Sequence, residues 1–460
     1  MPRLQTRRLG PLRMTGFAIG DYACNLYWQS VSLYLLFYYT DAVGLSAATA
    51  GLIYMIASIF DGAIDPLMGA LADRTRTRFG TYRPYILFGA LPLGLSFALL
   101  YDRPPLEGWP LVAVLLAAHL LFRVCYTALS IPYTSLTARL TESSQERSTL
   151  AGLRIIFATL AALTVAAVTQ PLAARLGQGD AARGYFYTAC LLAVVATFVF
   201  PIVFAATREP EADRLMAARP SLPDYWRAIR QNRAFLALIG GIVFAVICST
   251  ALGKSVLYYY KYALNDAAAS RMALSLGAAS GLVIVPFWLV LTRYLGKRAA
   301  WFAASAWGLA GLGFFAVTRI GDAALMTGFI VYMQVASLGF ALTFWSMLPD
   351  TVEYGEWCTG IRTESFIFGL GQFFLKVALG LGAGLFGVAL DLVGYVPNAV
   401  QSDAVLHGMK LIMIGFPAVG IIGGAVAMLF YPLRRGVHET IVAQLAERET
   451  LPAAALDPVL

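Results

Sequence analysis

Long apolar runs alternate with short polar breaks along this chain. A helix that crosses a bilayer needs ~20 mainly apolar residues. Twelve runs meet that length, at roughly 15–40, 45–71, 84–102, 109–138, 148–172, 184–206, 234–262, 268–292, 299–317, 323–348, 365–392 and 405–432. Their continuous apolar character excludes a transmembrane β-barrel, whose strands alternate apolar and polar positions over ~10 residues. The pattern therefore predicts an all-α membrane protein of twelve transmembrane helices. One long polar interruption splits it into an N-terminal six-helix bundle (1–206), a linker (207–233) and a C-terminal six-helix bundle (234–432). A tail (433–460) follows.

Composition agrees. Of 460 residues, 59% are hydrophobic and 13% charged, about half the ~25% charge of a soluble domain. Such a chain needs lipid as its solvent. The net charge of +8 reflects topology, and no nucleic-acid motif accompanies it. With the N-terminus inside, the inner segments hold 23 Lys and Arg against six in the outer loops and adjoining span ends. Both termini are thus expected in the cytoplasm. The basic N-terminus leads into an apolar run without a small-residue cleavage site, and reads as an uncleaved first span. Five scattered Cys without CxxC spacing indicate neither a disulfide framework nor a zinc site.

Against this background the ionisable residues inside spans are informative, because each costs at least ~2.5–3.5 kcal/mol to insert. Asp61 and Asp65 of span 2 lie one helical turn apart on one face. Two carboxylates that close repel, and protonation or a bound cation relieves the repulsion. They are the leading candidates for a coupling-ion site; the plainer reading makes Asp65 the preparation for a turn at Pro66. Asp21, Asn25 and Gln29 form a polar stripe on span 1, and Arg123, Thr127, Ser130 and Thr134 form one on span 4 beside Tyr126. Two such stripes in one half suggest a wet cavity suited to a polyhydroxylated solute. Arg154 lies near the inner end of span 5. Gln372 and Lys376 share a face of span 11, with Lys376 near mid-membrane. Lys254 reads as a snorkelling lysine, and His119 and His407 as residues without a role. The plain alternative for the charged set is ion pairing that only holds helices together.

At these residues the chain resembles the melibiose permease family, the glycoside–pentoside–hexuronide:cation symporters of the major facilitator superfamily. The similar segments are Phe37-Tyr-Tyr-Thr-Asp41, Phe60-Asp61-Gly-Ala-Ile-Asp65-Pro66, Asp73 to Pro84, Tyr126-Thr127 with Ile131-Pro132, and Pro349-Asp350 to Trp357 with Gly360-Ile-Arg362. The resemblance implies that Asp61, Asp65 and Thr127, with Asn25, bind Na+ or H+. It implies that Tyr126, Arg154 and Lys376 line or organise a sugar site. Departures accompany it. The family's first-helix Lys-Asp pair reads Cys24-Asn25 here, and its fourth-helix Asp and Trp read Ser130 and Thr134. The lost carboxylates disfavour an α-galactoside and leave a surplus of cations that would suit an acidic sugar.

The expected protein is a sugar symporter of the inner membrane, not an enzyme. It has no cofactor beyond a coupling ion of Na+ or H+, and no metal beyond Na+ at Asp61 and Asp65. Its partners are a small sugar and the bilayer, with neither nucleic acid nor an obligate protein partner. The candidate substrate set is Asp21, Asn25, Gln29, Arg123, Tyr126, Ser130, Thr134, Arg154, Gln372 and Lys376. A cytoplasmic charge gate is expected between Asp73, Arg74, Arg76, Arg78 and Arg83 and the segment carrying Asp350, Glu353, Glu356 and Arg362. The rival readings are a non-transporting sugar sensor and a lysolipid or drug transporter of related fold.

Overall fold

A computed structural model describes residues 10–140, 144–209, 227, 229–318, 321–360, 364–434 and 436–450. It is helical throughout, with no named strand among these residues. The long helices are α1 (Pro11–Phe37), α2 (Ala47–Arg74), α3 (Arg83–Leu100), α4 (Gly108–Leu140), α5 (Ser144–Gly177), α6 (Ala181–Ala206), α7 (Arg233–Tyr258), α8 (Ser270–Leu295), α9 (Lys297–Val317), α10 (Ala323–Thr359), α11 (Glu364–Leu392) and α12 (Asp403–Leu429). Eleven helices are long and apolar enough to cross a membrane. The remaining long one, α1, carries the Asp21–Asn25–Gln29 stripe.

Short polar caps start the helices where the sequence leaves its loops. Ser46, Asp180, Asn232, Asp322 and Ser402 each accept a backbone N–H from the first turn of the helix they precede, satisfying amides that have no intrahelical partner. Lipid-facing positions stay apolar: Phe198 and Val283 are 72% and 75% exposed. One apolar core is drawn mainly from α1–α6 and a second from α7–α12, and Tyr258, Phe386, Leu390 and Tyr395 join the first from the second half.

Four features differ from the expected pattern. The acidic run Asp350–Glu356 is not a loop: α10 continues through Pro349 to Thr359 and ends at Gly360, which adopts φ +70°. The link between α8 and α9 shrinks to Gly296 at φ +84°. The tail contains a further helix, α13 (Val437–Thr450), whose Ile441 is buried against the second core. Pro66 leaves α2 unbroken, so the reading of Asp65 as a turn residue does not hold.

The two halves meet closely on the face opposite the basic loops. Where α2 crosses α11, a Cβ added at Gly387 would sit 2.2 Å from the Ala47 carbonyl oxygen, and one at Gly51 2.9 Å from that of Ala383. Only glycine permits such backbone approach.

Candidate ion and substrate site

The acidic pair lies about midway along α2. Asp61 is fully buried. Its Oδ2 accepts from Arg123 Nη1 at 3.2 Å and from Lys376 Nζ at 3.0 Å. Lys376 Nζ also lies 2.5 Å from Asp65 Oδ2. Thr127 Oγ1 is 2.8 Å from Asp61 Oδ1 and 3.1 Å from Asp65 Oδ1. Two carboxylates thus face two cations, and one of those cations comes from the other half of the molecule. The ammonium of Lys376 stands between the carboxylates, which is where electrostatics would put a coupling ion. Arg123 is held further by His119, which accepts from its Nε at 3.3 Å, and by the ring of Trp28 at 5.5 Å.

The other expected residues have partners of their own. Arg154 Nε and Nη2 reach Asp21 at 2.6 and 3.1 Å, Nη1 reaches Thr137 at 3.0 Å, and Tyr133 donates to the same carboxylate at 2.6 Å. The bidentate geometry ties α5 to α1. The expectation that Arg154 holds substrate therefore meets a guanidinium whose three donor nitrogens are already engaged. Asn25 Nδ2 bonds the Asp21 carbonyl at 2.8 Å and is not among the groups around Asp61. Asn25 and Gln29 instead line a cavity of about 380 Å³ whose other walls include Thr159, Gly253 and Gln334. Tyr126 lies beside Trp28, the rings tilted by 31° with centroids 5.9 Å apart. Ser130 is half-buried, and Thr134 and Gln372 are exposed.

Lys254 corrects another expectation. It does not snorkel: it is 5% exposed, donates to the Ser32 carbonyl at 2.9 Å and sits 4.0 Å from the centroid of Tyr54. The α7 register turns it inward toward α1 and α2, which a one-dimensional count of depth cannot show.

A second polar cluster closes the face opposite the basic loops. Asp41 lies in a π-helical turn after α1, Tyr38–Ala42, and Lys261 in the matching turn after α7, Tyr259–Ala263. The Asp41 carboxylate accepts from Lys261 at 2.6 Å, from Tyr395 at 2.8 Å, from Thr40 at 2.7 Å and from Tyr262. Asn398 bonds the Asp41 carbonyl at 2.7 Å and accepts from Lys261 at 2.6 Å. Burial, reinforced by Asp41, pushes the Tyr395 phenol well above its usual range, so it remains a donor. The paired tyrosines at 38–39 and 259–260 are the sequence signal that marks the two turns as counterparts.

On the basic face Arg83, Asp350 and Glu353 of the expected gate are engaged within their own halves. Arg83 Nη2 donates to the Phe204 carbonyl at 2.9 Å. Glu209 caps α3 by accepting from the amides of Thr81, Tyr82 and Arg83 at 2.7, 2.7 and 2.8 Å. Arg78 lies over Phe79, and Arg74 and Arg76 are exposed. Asp350 pairs with Lys297 at 2.7 Å, and Glu353 bonds His438. Glu356 ends α10 on the same face. The side chain of Asp73 and all of Arg362 lie outside the described residues.

Helices in two packed halves with ion-paired carboxylates between them fit the plan of a secondary transporter. A family model described as MFS/sugar transport protein matches residues 16–435. The chain belongs to that family, in its glycoside–pentoside–hexuronide:cation symporter branch. It is 30% identical over 450 residues to the isoprimeverose transporter of Lactiplantibacillus pentosus, covering 96% of this chain and 92% of that one. It is 28% identical over 443 residues to a glucuronide carrier protein homolog of Escherichia coli (strain K12), covering 95% of each. Among solved structures, a bacterial homolog of the human lysosomal transporter Spinster aligns with TM-score 0.68 at 12% identity, covering 94% of this chain and 98% of that one. The protein is therefore an integral inner-membrane sugar:cation symporter and not an enzyme.

Proposed function

We propose that this symporter carries a glycoside, pentoside or hexuronide into the cell with Na+ or H+, by rocking 1–206 against 234–432 about the central site. The face where α6 ends and α7 begins, and where α13 lies, is the cytoplasmic one. The observation that carries the proposal is the Lys376 bridge. It holds Asp61 and Asp65 of one half to a cation of the other, so whatever neutralises the carboxylates also removes one of the ties between the halves. A proton on Asp65, or Na+ between Asp61, Asp65 and Thr127, does this and frees Lys376 for a sugar hydroxyl or carboxylate. Asp65 is the exchanging member, because Asp61 is also held by the buried Arg123.

For the sugar, Asn25 and Gln29 supply amides and the Trp28–Tyr126 pair an apolar platform, with Ser130, Thr134 and Gln372 beyond. Thr159 and Gln334 extend the polar lining. Arg154 with Asp21 acts as a brace. The relatives named as an isoprimeverose transporter and a glucuronide carrier protein homolog support a sugar substrate, neutral or acidic. When the site faces outward, Arg74, Arg76 and Arg78 meet the acidic end of α10, and Asp350 and Glu353 exchange Lys297 and His438 for them.

The test is uptake of a sugar panel into proteoliposomes, with Na+ and pH gradients imposed separately. Accumulation driven by one gradient is expected, and names the ion. Sugar binding without accumulation under either gradient would replace the symporter by a sensor. Calorimetry of a uronide against its neutral parent decides the substrate's charge.

A further inference from the structure

A cavity of about 480 Å³ opens on the basic face of the second half, between the α8–α9 link and the segment joining α12 to α13. Its walls include Arg293, Lys297, Arg298, Arg434 and His438, against the acidic Asp350 and Glu439. Asp350 is already neutralised by Lys297, whose Nζ lies 2.8 and 2.7 Å from its two oxygens. Arg298 is fixed at the wall by bonds from Nε and Nη2 to the carbonyls of Met428 and Leu429, at 3.0 and 2.9 Å, which do not involve Nη1. Arg293 and Arg434 are exposed and form no ion pair among the described residues. The cavity wall therefore carries a net positive field that the protein's own carboxylates do not cancel.

Two further observations indicate what the field is for. Tyr431 lines the cavity and is 2% exposed, yet its hydroxyl has no hydrogen-bond partner. An unsatisfied buried hydroxyl costs about 1–3 kcal/mol. Burial first, and Asp350 second, push this phenol upward, so it stays a donor. Independently, α9 starts at the cavity wall directly after Gly296 with no side-chain cap. Its first amides point their N–H groups outward, the arrangement that receives phosphate oxygens at helix N-termini. Guanidinium groups, a buried hydroxyl donor and free helix-end amides are all donors, and together they fit a tetrahedral oxyanion.

We propose that this cavity binds a phosphate ester, and that its source is the headgroup of an anionic phospholipid in the cytoplasmic leaflet. The lipid source follows from the rim. Tyr294, Leu295, Leu429 and Phe430 are 73%, 46%, 59% and 74% exposed beside the basic residues. In a bilayer such side chains meet acyl chains, and the arginines next to them lie at headgroup depth. Basic pockets between helices on the cytoplasmic side hold anionic headgroups in this way. The bound headgroup would link α8, α9 and the segment after α12 within one half, and its loss would loosen the second half alone.

The experiment uses the full-length protein in nanodiscs of phosphatidylcholine with and without phosphatidylglycerol, with retained lipid counted by native mass spectrometry. Phosphatidylglycerol is expected to be retained over phosphatidylcholine. Tyr431→Phe, and Arg293→Gln with Arg434→Gln, should each weaken retention about five-fold per lost contact, the ratio that corresponds to ~1 kcal/mol. Thermal unfolding in detergent shows whether each variant is folded, and Tyr431→Phe keeps the ring in place if the double variant is not. A parallel arm adds glycerol 1-phosphate to phosphatidylcholine discs. Saturable stabilisation there with the same variant dependence, and no lipid preference, would keep the phosphate site and overturn its lipid source. Equal retention of both lipids, or equal behaviour of wild type and variants, would overturn the site.

Discussion

Asp61 and Asp65 have the same chemistry and different surroundings, and their substitutions should separate. Asp61→Asn leaves Arg123 buried without its carboxylate, and breaking a buried pair in this way costs about 3–5 kcal/mol. Loss of uptake together with a lower Tm is expected for Asp61→Asn. Asp65→Asn keeps the Arg123 pair and should lose concentrative uptake while Tm stays within a few degrees. Full gradient-driven accumulation in both variants would refute the ion-site assignment. Arg154→Lys tests the brace. A lysine cannot reproduce two parallel bonds to Asp21, so stability should fall by about 1–3 kcal/mol, with sugar affinity changed equally for neutral and acidic sugars. A selective loss for the acidic sugar would return Arg154 to the substrate site. The acidic pair was legible in the sequence because its cost in lipid singles it out. The commitment of Arg154 to Asp21 was not, because it depends on α5 packing against α1 at one register.

At the scale of elements, the π turns after α1 and α7 form a latch around Asp41. The carboxylate gathers four side-chain donors, two of them on the other half's α7 turn and one on the segment after α11. Asp41→Asn or Lys261→Ala should open the outer face. The readout is alkylation of a cysteine introduced at Gln334, by a membrane-impermeant reagent outside intact cells, in a chain with its native cysteines replaced. Faster labelling by several-fold is expected, and the Asp41→Lys, Lys261→Asp exchange should restore much of the slow rate. Unchanged labelling in both single variants would mean that the latch does not hold the face shut. Gly387→Val tests the same closure through packing alone. A side chain there strikes the Ala47 backbone, so this closed arrangement should be disfavoured and labelling accelerated with no charge altered.

For the whole molecule, the cross-half bonds reported above run from the outer face down to Lys376, while Asp350, Glu353 and Arg83 are satisfied within their own halves. The arrangement is shut outside. Transport requires these bonds to be exchanged for contacts on the basic face, and alternating access can only be as favourable as that exchange. Lys376→Met removes the one cation shared between Asp61 and Asp65 across the halves. It should abolish coupled uptake, and it should weaken the outer closure, read by the same labelling assay. Retained coupling would show that the carboxylates alone report the ion to the second half.

Hydrophobic run length, basic-residue bias and the cost of buried charge are properties of composition along a line. From them the sequence by itself determined the helical membrane fold and singled out Asp61, Asp65 and Lys376 as the residues to watch, while Thr127 was added by the family resemblance. Only tertiary structure decided which charges meet. Lys254 turns inward, Asp41 gathers four side-chain donors, Asn25 bonds the Asp21 carbonyl and lines a cavity with Gln29, and Asp350 and Glu353 lie in the last turns of α10 and pair with Lys297 and His438. The partners of Lys254, Asp41 and Glu353 lie more than 80 residues away along the chain and depend on helix rotation, whereas Lys297 and Asp350 are joined across a shorter link. Burial cost marks a residue as important wherever it falls in the chain. Its partner is fixed by distance in space, which a helix register of ~100° per residue hides from any reading along the line.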